Sequence, residues 1–73
     1  MSYEPVSGTP PRVERRILRR PEVEQKVGLK RAQIYTLMRE DKFPKAVRLG
    51  ARAVGWDSIE IDQWILDRLK VRV

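Results

Sequence analysis

Between Lys30 and Arg39 the chain carries a row of side chains suited to outward hydrogen bonding: Lys30, Arg31, Gln33, Tyr35, Thr36 and Arg39. A guanidinium such as that of Arg31 is a rigid fork of donors, matched to a phosphate or to the acceptor edge of guanine. Gln33 and Thr36 are short polar groups of the kind that meet base edges. The Tyr35 hydroxyl either reaches a phosphate or its ring packs on the protein, and Arg39 either meets a phosphate or pairs with Glu40 or Asp41. Two more basic sets flank this row. Arg48 and Arg52 bracket Gly50-Ala51, and Arg15, Arg16, Arg19 and Arg20 crowd the stretch before Pro21. The chemistry common to all three is recognition of a polyanion, with no bond made or broken. The whole composition agrees: 16 Lys and Arg oppose 10 Asp and Glu, a formal charge of +6, and nucleic acid is the commonest polyanionic partner.

Other chemistries are excluded or disfavoured by what is missing. The 73 residues include no cysteine and no histidine, so disulfides, thiolate or imidazole metal sites, a Cys nucleophile and a His base are all ruled out. Glu22 and Glu24 stand two apart, which on a helix turns them in different directions rather than pairing them. A chain this short buries only about 60% of its unfolded surface and rarely walls off a reaction pocket. The expectation is a binding protein rather than an enzyme, without cofactor or metal. No apolar run approaches the roughly 20 residues that span a bilayer, so a soluble, cytoplasmic protein without a membrane partner is expected.

The elements that must position these residues follow from pattern. Residues 1–14, with Pro5, Pro10, Pro11 and Gly8, hold too few large apolar groups to offset ordering entropy and read as a mobile tail. Residues 15–70 read as one domain, and 71–73 as a frayed end. Ile17-Leu18 suits an edge strand or an extended lead-in whose apolar pair drops into the core. Pro21 suits the first turn of a helix that presents Val23 and Val27 and stops at Gly28. A second helix is expected from Lys30 or Arg31 to about Asp41, with Ile34, Leu37 and Met38 inward and Ala32, Thr36 and Arg39 outward. Two short helices across a Gly28-Leu29 turn make a helix-turn-helix. Phe43-Pro44 ends the helical pattern, after which Val47 and Leu49, then Val54 and Trp56, alternate around Gly50 as a β-hairpin. Asp57 is placed to cap a last helix, with Glu60 completing a near capping box. Ile61, Trp64, Ile65 and Leu69 form its inward stripe, and both Trp56 and Trp64 are expected in the core. The predicted class is therefore mainly α with a small β-hairpin: three helices plus a wing.

Charge is not spread evenly over these elements. Residues 12–20 hold five arginines against Glu14, and residues 45–52 hold Lys45, Arg48 and Arg52 with no acid. Residues 57–70 hold four acids against Arg68 and Lys70. Basic charge gathers on the parts able to meet one duplex, while the supporting helix is acidic. A surface charged only for solubility mixes the signs more evenly.

From Leu18 to Leu69 the chain resembles the AlpA-type prophage regulators of the MerR-like winged-helix class, which also holds many phage excisionases. The likeness lies in Leu18-Arg19-Arg20-Pro21-Glu22-Val23, Val27-Gly28-Leu29-Lys30-Arg31, Ile34-Tyr35-Thr36-Leu37-Met38, Phe43-Pro44-Lys45, Val47-Arg48-Leu49-Gly50, Ala53-Val54-Gly55-Trp56 and Ile61-Asp62-Gln63-Trp64-Ile65. It implies a winged helix-turn-helix that binds double-stranded DNA at an operator or at attachment-site repeats. It further implies control of an integrase gene or direct action as a recombination directionality factor, with several copies side by side and a possible integrase contact. On this reading Lys30, Arg31, Gln33, Tyr35, Thr36 and Arg39 belong to the recognition helix, Arg48, Ala51 and Arg52 to the wing, and Arg15, Arg16, Arg19 and Arg20 to an N-terminal arm or phosphate clamp. The arginine run equally suits nonspecific attraction to DNA. The chain departs from the family at Lys30, where a capping Ser or Thr is usual, which predicts a frayed start to the second helix. At Ala51 a usual Gly or Ser is replaced, which predicts a tighter wing turn. The alternative is an adaptor that uses the same fold to hold a phage or host protein. RNA binding ranks last, because no exposed aromatics interleave with the basic residues.

Overall fold

The computed structural model describes residues 14–71. The expected mobile tail, apart from Glu14, and the last two residues of the expected frayed end lie outside that range. In chain order come β1 (Ile17–Leu18), α1 (Arg20–Val27), α2 (Arg31–Arg39), β2 (Val47–Arg48), β3 (Val54–Asp57) and α3 (Ser58–Lys70). This is a winged helix-turn-helix of three helices with a small antiparallel sheet.

The lead-in is a true strand. β1 pairs antiparallel with β3, Ile17 opposite Asp57 and Leu18 opposite Trp56, while β2 pairs on the other side, Val47 opposite Gly55 and Arg48 opposite Val54. β3 is thus the central strand of a three-stranded sheet, where a hairpin alone was expected. Because side chains alternate across a strand, only Leu18 of the apolar pair is buried; Ile17 faces out at 40% exposure. Val47 and Leu49, the apolar positions of the predicted alternation, are not buried, each being more than two-fifths exposed, and Arg48 between them is exposed too.

The core takes one large side chain from nearly every segment: Leu18, Val23, Ile34, Phe43, Trp56 and Ile61. Trp56 is fully buried, and its indole N–H donates to the Pro44 carbonyl at 3.1 Å. Trp64 is only half-buried. Its N–H donates to the Lys42 carbonyl at 2.9 Å, and its ring meets Phe43 edge-on at 4.9 Å. The two tryptophans thereby hold the 42–44 link from both sides and fix where the wing leaves α2. The inward stripe of α3 is shorter than expected, since Leu69 is half exposed.

Helix ends are set by side chains and by two left-handed residues. Gly28 (φ 74°) closes α1, its N–H donating to the Glu24 carbonyl at 2.8 Å. Asp41 (φ 62°) ends α2 two residues sooner than the pattern predicts. The Lys42 N–H returns to the Leu37 carbonyl at 2.8 Å and the Asp41 N–H to that of Met38 at 3.0 Å. That is a Schellman arrangement with Asp in the position glycine usually takes. The start of α2 is not frayed. The Gln33 carboxamide oxygen accepts the Lys30 N–H at 2.9 Å, the half of a capping box that the third helical residue provides, and this bond fixes the helix start although the Lys30 ammonium cannot accept in return.

Asp57 stands at the N-cap position of α3 as expected, in extended backbone, but its side chain makes no full cap hydrogen bond. Its main partner is Arg15, which grips both carboxylate oxygens, Nε to Oδ1 at 3.1 Å and Nη2 to Oδ2 at 2.7 Å. Those bonds, with the charge of Arg15 behind them, hold the Asp57 carboxyl below its usual range against the opposing effect of burial, and the nearby Ile59 and Glu60 amides assist.

Candidate nucleic-acid interface

Helix α2 buries Ile34 and half-buries Leu37 and Met38, so the inward face is the predicted one. Away from that face Arg31, Ala32, Gln33 and Arg39 are exposed, as is Lys30 at the N-cap, and Thr36 is partly so. Ala32 and Thr36, one turn apart, form a low ridge along the middle. On one side of that ridge a shallow dimple of about 390 Å³ is lined by Leu29, Ala32, Gln33, Thr36 and Leu37. On the other, Arg31, Tyr35 and Arg39 line a second concavity.

Tyr35 packs on the protein. Its ring meets Trp56 edge-on at 6.4 Å, and the Arg31 guanidinium lies over it at 5.6 Å. Since Trp56 is anchored in the core, the stack aims Arg31 away from the axis of α2 toward the wing and β1. There a cleft of about 410 Å³ opens, lined by Arg19, Arg20, Pro21, Arg31, Tyr35, Arg52 and Val54. Four arginines from three segments of the chain thus share one concave surface. Arg19 is held by its Nε donating to the Val54 carbonyl at 3.1 Å, and Arg20 by Glu24 at 3.0 Å. The Glu24 carboxylate neutralises part of that charge. Arg31 and Arg52 form no ion pair among the described residues.

The predicted arm is not free. Arg15 is bound to Asp57, Arg16 to Glu22 at 3.1 Å, Arg19 to Val54 and Arg20 to Glu24. The Arg16 backbone also exchanges bonds with Ser58, its N–H donating to Ser58 Oγ and its carbonyl accepting the Ser58 N–H. The Glu14 carbonyl accepts the Ser58 hydroxyl at 3.2 Å. Glu22 accepts the Arg19 N–H as well as the Arg16 guanidinium, and these bonds hold its carboxyl below the usual range. The arm is β1 and its flanks, of which Arg19 and Arg20 alone line the cleft.

In the wing, Leu49 and Gly50 N–H groups donate to the Ala53 carbonyl at 2.7 and 3.2 Å, closing the turn over Gly50-Ala51-Arg52. Arg48 reaches the Ala51 carbonyl at 3.4 Å, a long contact on the edge strand. Ala51 is exposed at the tip and carries no polar side chain. Arg39 pairs with neither neighbouring acid; Glu40 lies 3.8 Å from Lys42 instead. The residues missed as site candidates are Leu29, Ala32 and Leu37, which line the dimple beside Gln33 and Thr36; Leu29 and Leu37 also pack against the core, so in sequence they read only as apolar core positions. Among the described residues no group of three acidic side chains could hold a metal ion, and no helix is long and apolar enough to cross a membrane.

The fold and its exposed, cation-flanked second helix define a small winged helix-turn-helix protein. The chain belongs to the family described as "Prophage CP4-57 regulatory protein (AlpA)", whose profile matches residues 16–69. It is 44% identical over 62 residues to the "DNA-binding transcriptional activator AlpA" of Escherichia coli (strain K12), covering 77% of this chain and 89% of that protein. It is 38% identical over 68 residues to "Uncharacterized protein ORF88" of Enterobacteria phage P4, covering 93% of this chain and 77% of the phage protein.

Proposed function

We propose that this chain binds double-stranded DNA as a regulator of a mobile genetic element, with α2 in the major groove and one backbone strand seated in the arginine cleft. The observation that carries this is the convergence of Arg19, Arg20, Arg31 and Arg52 on one concavity beside the exposed side of α2. Arg31, tilted over Tyr35, is assigned to phosphate rather than to guanine, and Arg52 carries the same contact onto the wing. Lys30 and Arg39 flank the groove contact, Gln33 and Thr36 face the base edges, and Arg48 meets the neighbouring backbone from the wing. Arg15 and Arg16 act indirectly by holding β1 in place. The likeness to an activator that binds DNA supports transcriptional control of integrase or excision genes. Action as a recombination directionality factor at attachment-site repeats, with cooperative self-association and an integrase contact, extends the same binding mode. The contribution is binding and architecture rather than catalysis.

Gel shifts on duplex from around its own gene and any neighbouring attachment site test this. Four neutralised phosphates weaken binding about a hundredfold between roughly 50 and 200 mM salt. A chain that shifts none of these duplexes, or whose partner is a protein held without any salt slope, is an adaptor and not a DNA-binding regulator.

A further inference from the structure

Resting on the DNA reading above, we infer that the outward side of α2 selects thymine: Gln33 donates to the O4 acceptor while the dimple beside it takes the 5-methyl group. The first observation is the state of the Gln33 amide. Its oxygen accepts the Lys30 N–H at 2.9 Å, and since a backbone N–H must face an acceptor, the oxygen is the atom turned inward. What remains to face a partner is the NH2 group. Glutamine reads adenine by accepting from N6 and donating to N7 together. In Gln33 the oxygen is turned to the Lys30 N–H at the helix start, which leaves the NH2 group as the outward donor. It therefore suits the acceptor edges, guanine N7 and O6, adenine N7 or thymine O4.

The second observation separates these bases, since neither purine carries an apolar group on its major-groove edge. The dimple beside the amide is lined by Leu29, Ala32, Thr36 and Leu37. None of these brings a further hydrogen-bond donor except the Thr36 hydroxyl, and none is charged. Guanine would present two acceptors to this largely apolar floor. Thymine presents one acceptor and a methyl group, which is the only apolar feature the major groove offers. Ala32 is small enough to let the base edge approach, and the exposed cations Lys30, Arg31 and Arg39 around the ridge supply the attraction that brings a polyanion there.

The test uses the full chain. Selection from random-sequence duplex defines its preferred site, and each thymine in that site is then replaced singly by uracil, which keeps O4 and lacks the methyl. At one position or more the replacement should weaken binding about fourfold, the worth of one buried methylene-sized group. The variant Gln33→Glu keeps an oxygen for the Lys30 N–H, so α2 still begins at Arg31, which circular dichroism checks. It turns the outward donor into an acceptor, so its selected site should exchange thymine for cytosine at that position, with about tenfold discrimination. If a selected site tolerates uracil everywhere, or Gln33→Glu selects the unchanged sequence, the thymine assignment is overturned while DNA binding stands. If the chain selects no duplex, both fall together.

Discussion

Single side chains in this protein do two tasks, and the second is visible only where a partner sits. Asp57 stands at the junction of β3 and α3 with its carboxylate held chiefly by Arg15, the amides of α3 adding a smaller share. Its carboxyl, like that of Glu22, is held below the ordinary value. A carboxylate with a lowered folded-state pKa adds stability that is complete above its unfolded value, near 3.8 for Asp57, and drains as pH falls through the folded one. Asp57→Asn keeps the shape and removes this contribution. Urea midpoints should therefore show the natural chain ahead of the variant at neutral pH, with the gap closing below about pH 4. Gly55 makes a different point. A Cβ there would collide with Ile17 Cγ2 and sit 2.9 Å from the Leu18 carbonyl oxygen, so β1 can lie against β3 only because residue 55 has no side chain. Gly55→Ala should cost about 1–3 kcal/mol by overpacking, read from the same urea titration.

At the level of elements, the cleft depends on three segments arriving together. α1 brings Arg19 and Arg20, α2 brings Arg31, and the wing brings Arg52. Arg19 also ties its own segment to β3 through the Val54 carbonyl. Because the proposed contact is with phosphate, Arg31→Ala and Arg52→Ala should each weaken all duplex sequences alike and lower the slope of log affinity against log salt by about one. A change of preferred sequence in Arg31→Ala would return that residue to base reading. β1 is short, yet its Leu18 fills the core and its flanking Arg15 and Arg16 fasten it to the start of α3. The run of arginines is thus partly internal scaffolding. Its sequence pattern resembles that of a loose DNA-binding arm because both uses call for the same residues.

For the molecule as a whole, arginines meet where the starts of α1 and α2 and the wing converge, while α3 carries three acids against Arg68 and Lys70. Lys26 on α1 and Asp62 on α3 join these two helices at 2.7 Å. So small a domain offers limited contact area for strong specificity by itself. Binding to adjacent repeats should therefore be cooperative, with a higher affinity per site on tandem sites than on one isolated site in gel shift. Equal affinity per site would leave each copy acting alone.

The order of elements, the inward triad of α2, the turn at Gly28 and the burial of Trp56 were all legible in the residues, since each depends on a local rule: periodicity, a left-handed glycine, alternation along a strand. The outward placing of Thr36 and Arg39 was legible for the same reason. What the linear pattern could not settle was which partner wins when a side chain has several within reach. Asp57 suits a cap by spacing but meets Arg15, 42 positions away; Arg31 suits a base edge by position but is drawn over Tyr35, whose own seat depends on Trp56. Lys30 lacks a capping group, and Gln33 supplies one. Local propensity determined the helices and the wing, while long-range contacts decided the company each arginine keeps, because an ion pair or a ring stack depends on distance in space and leaves no period in the chain.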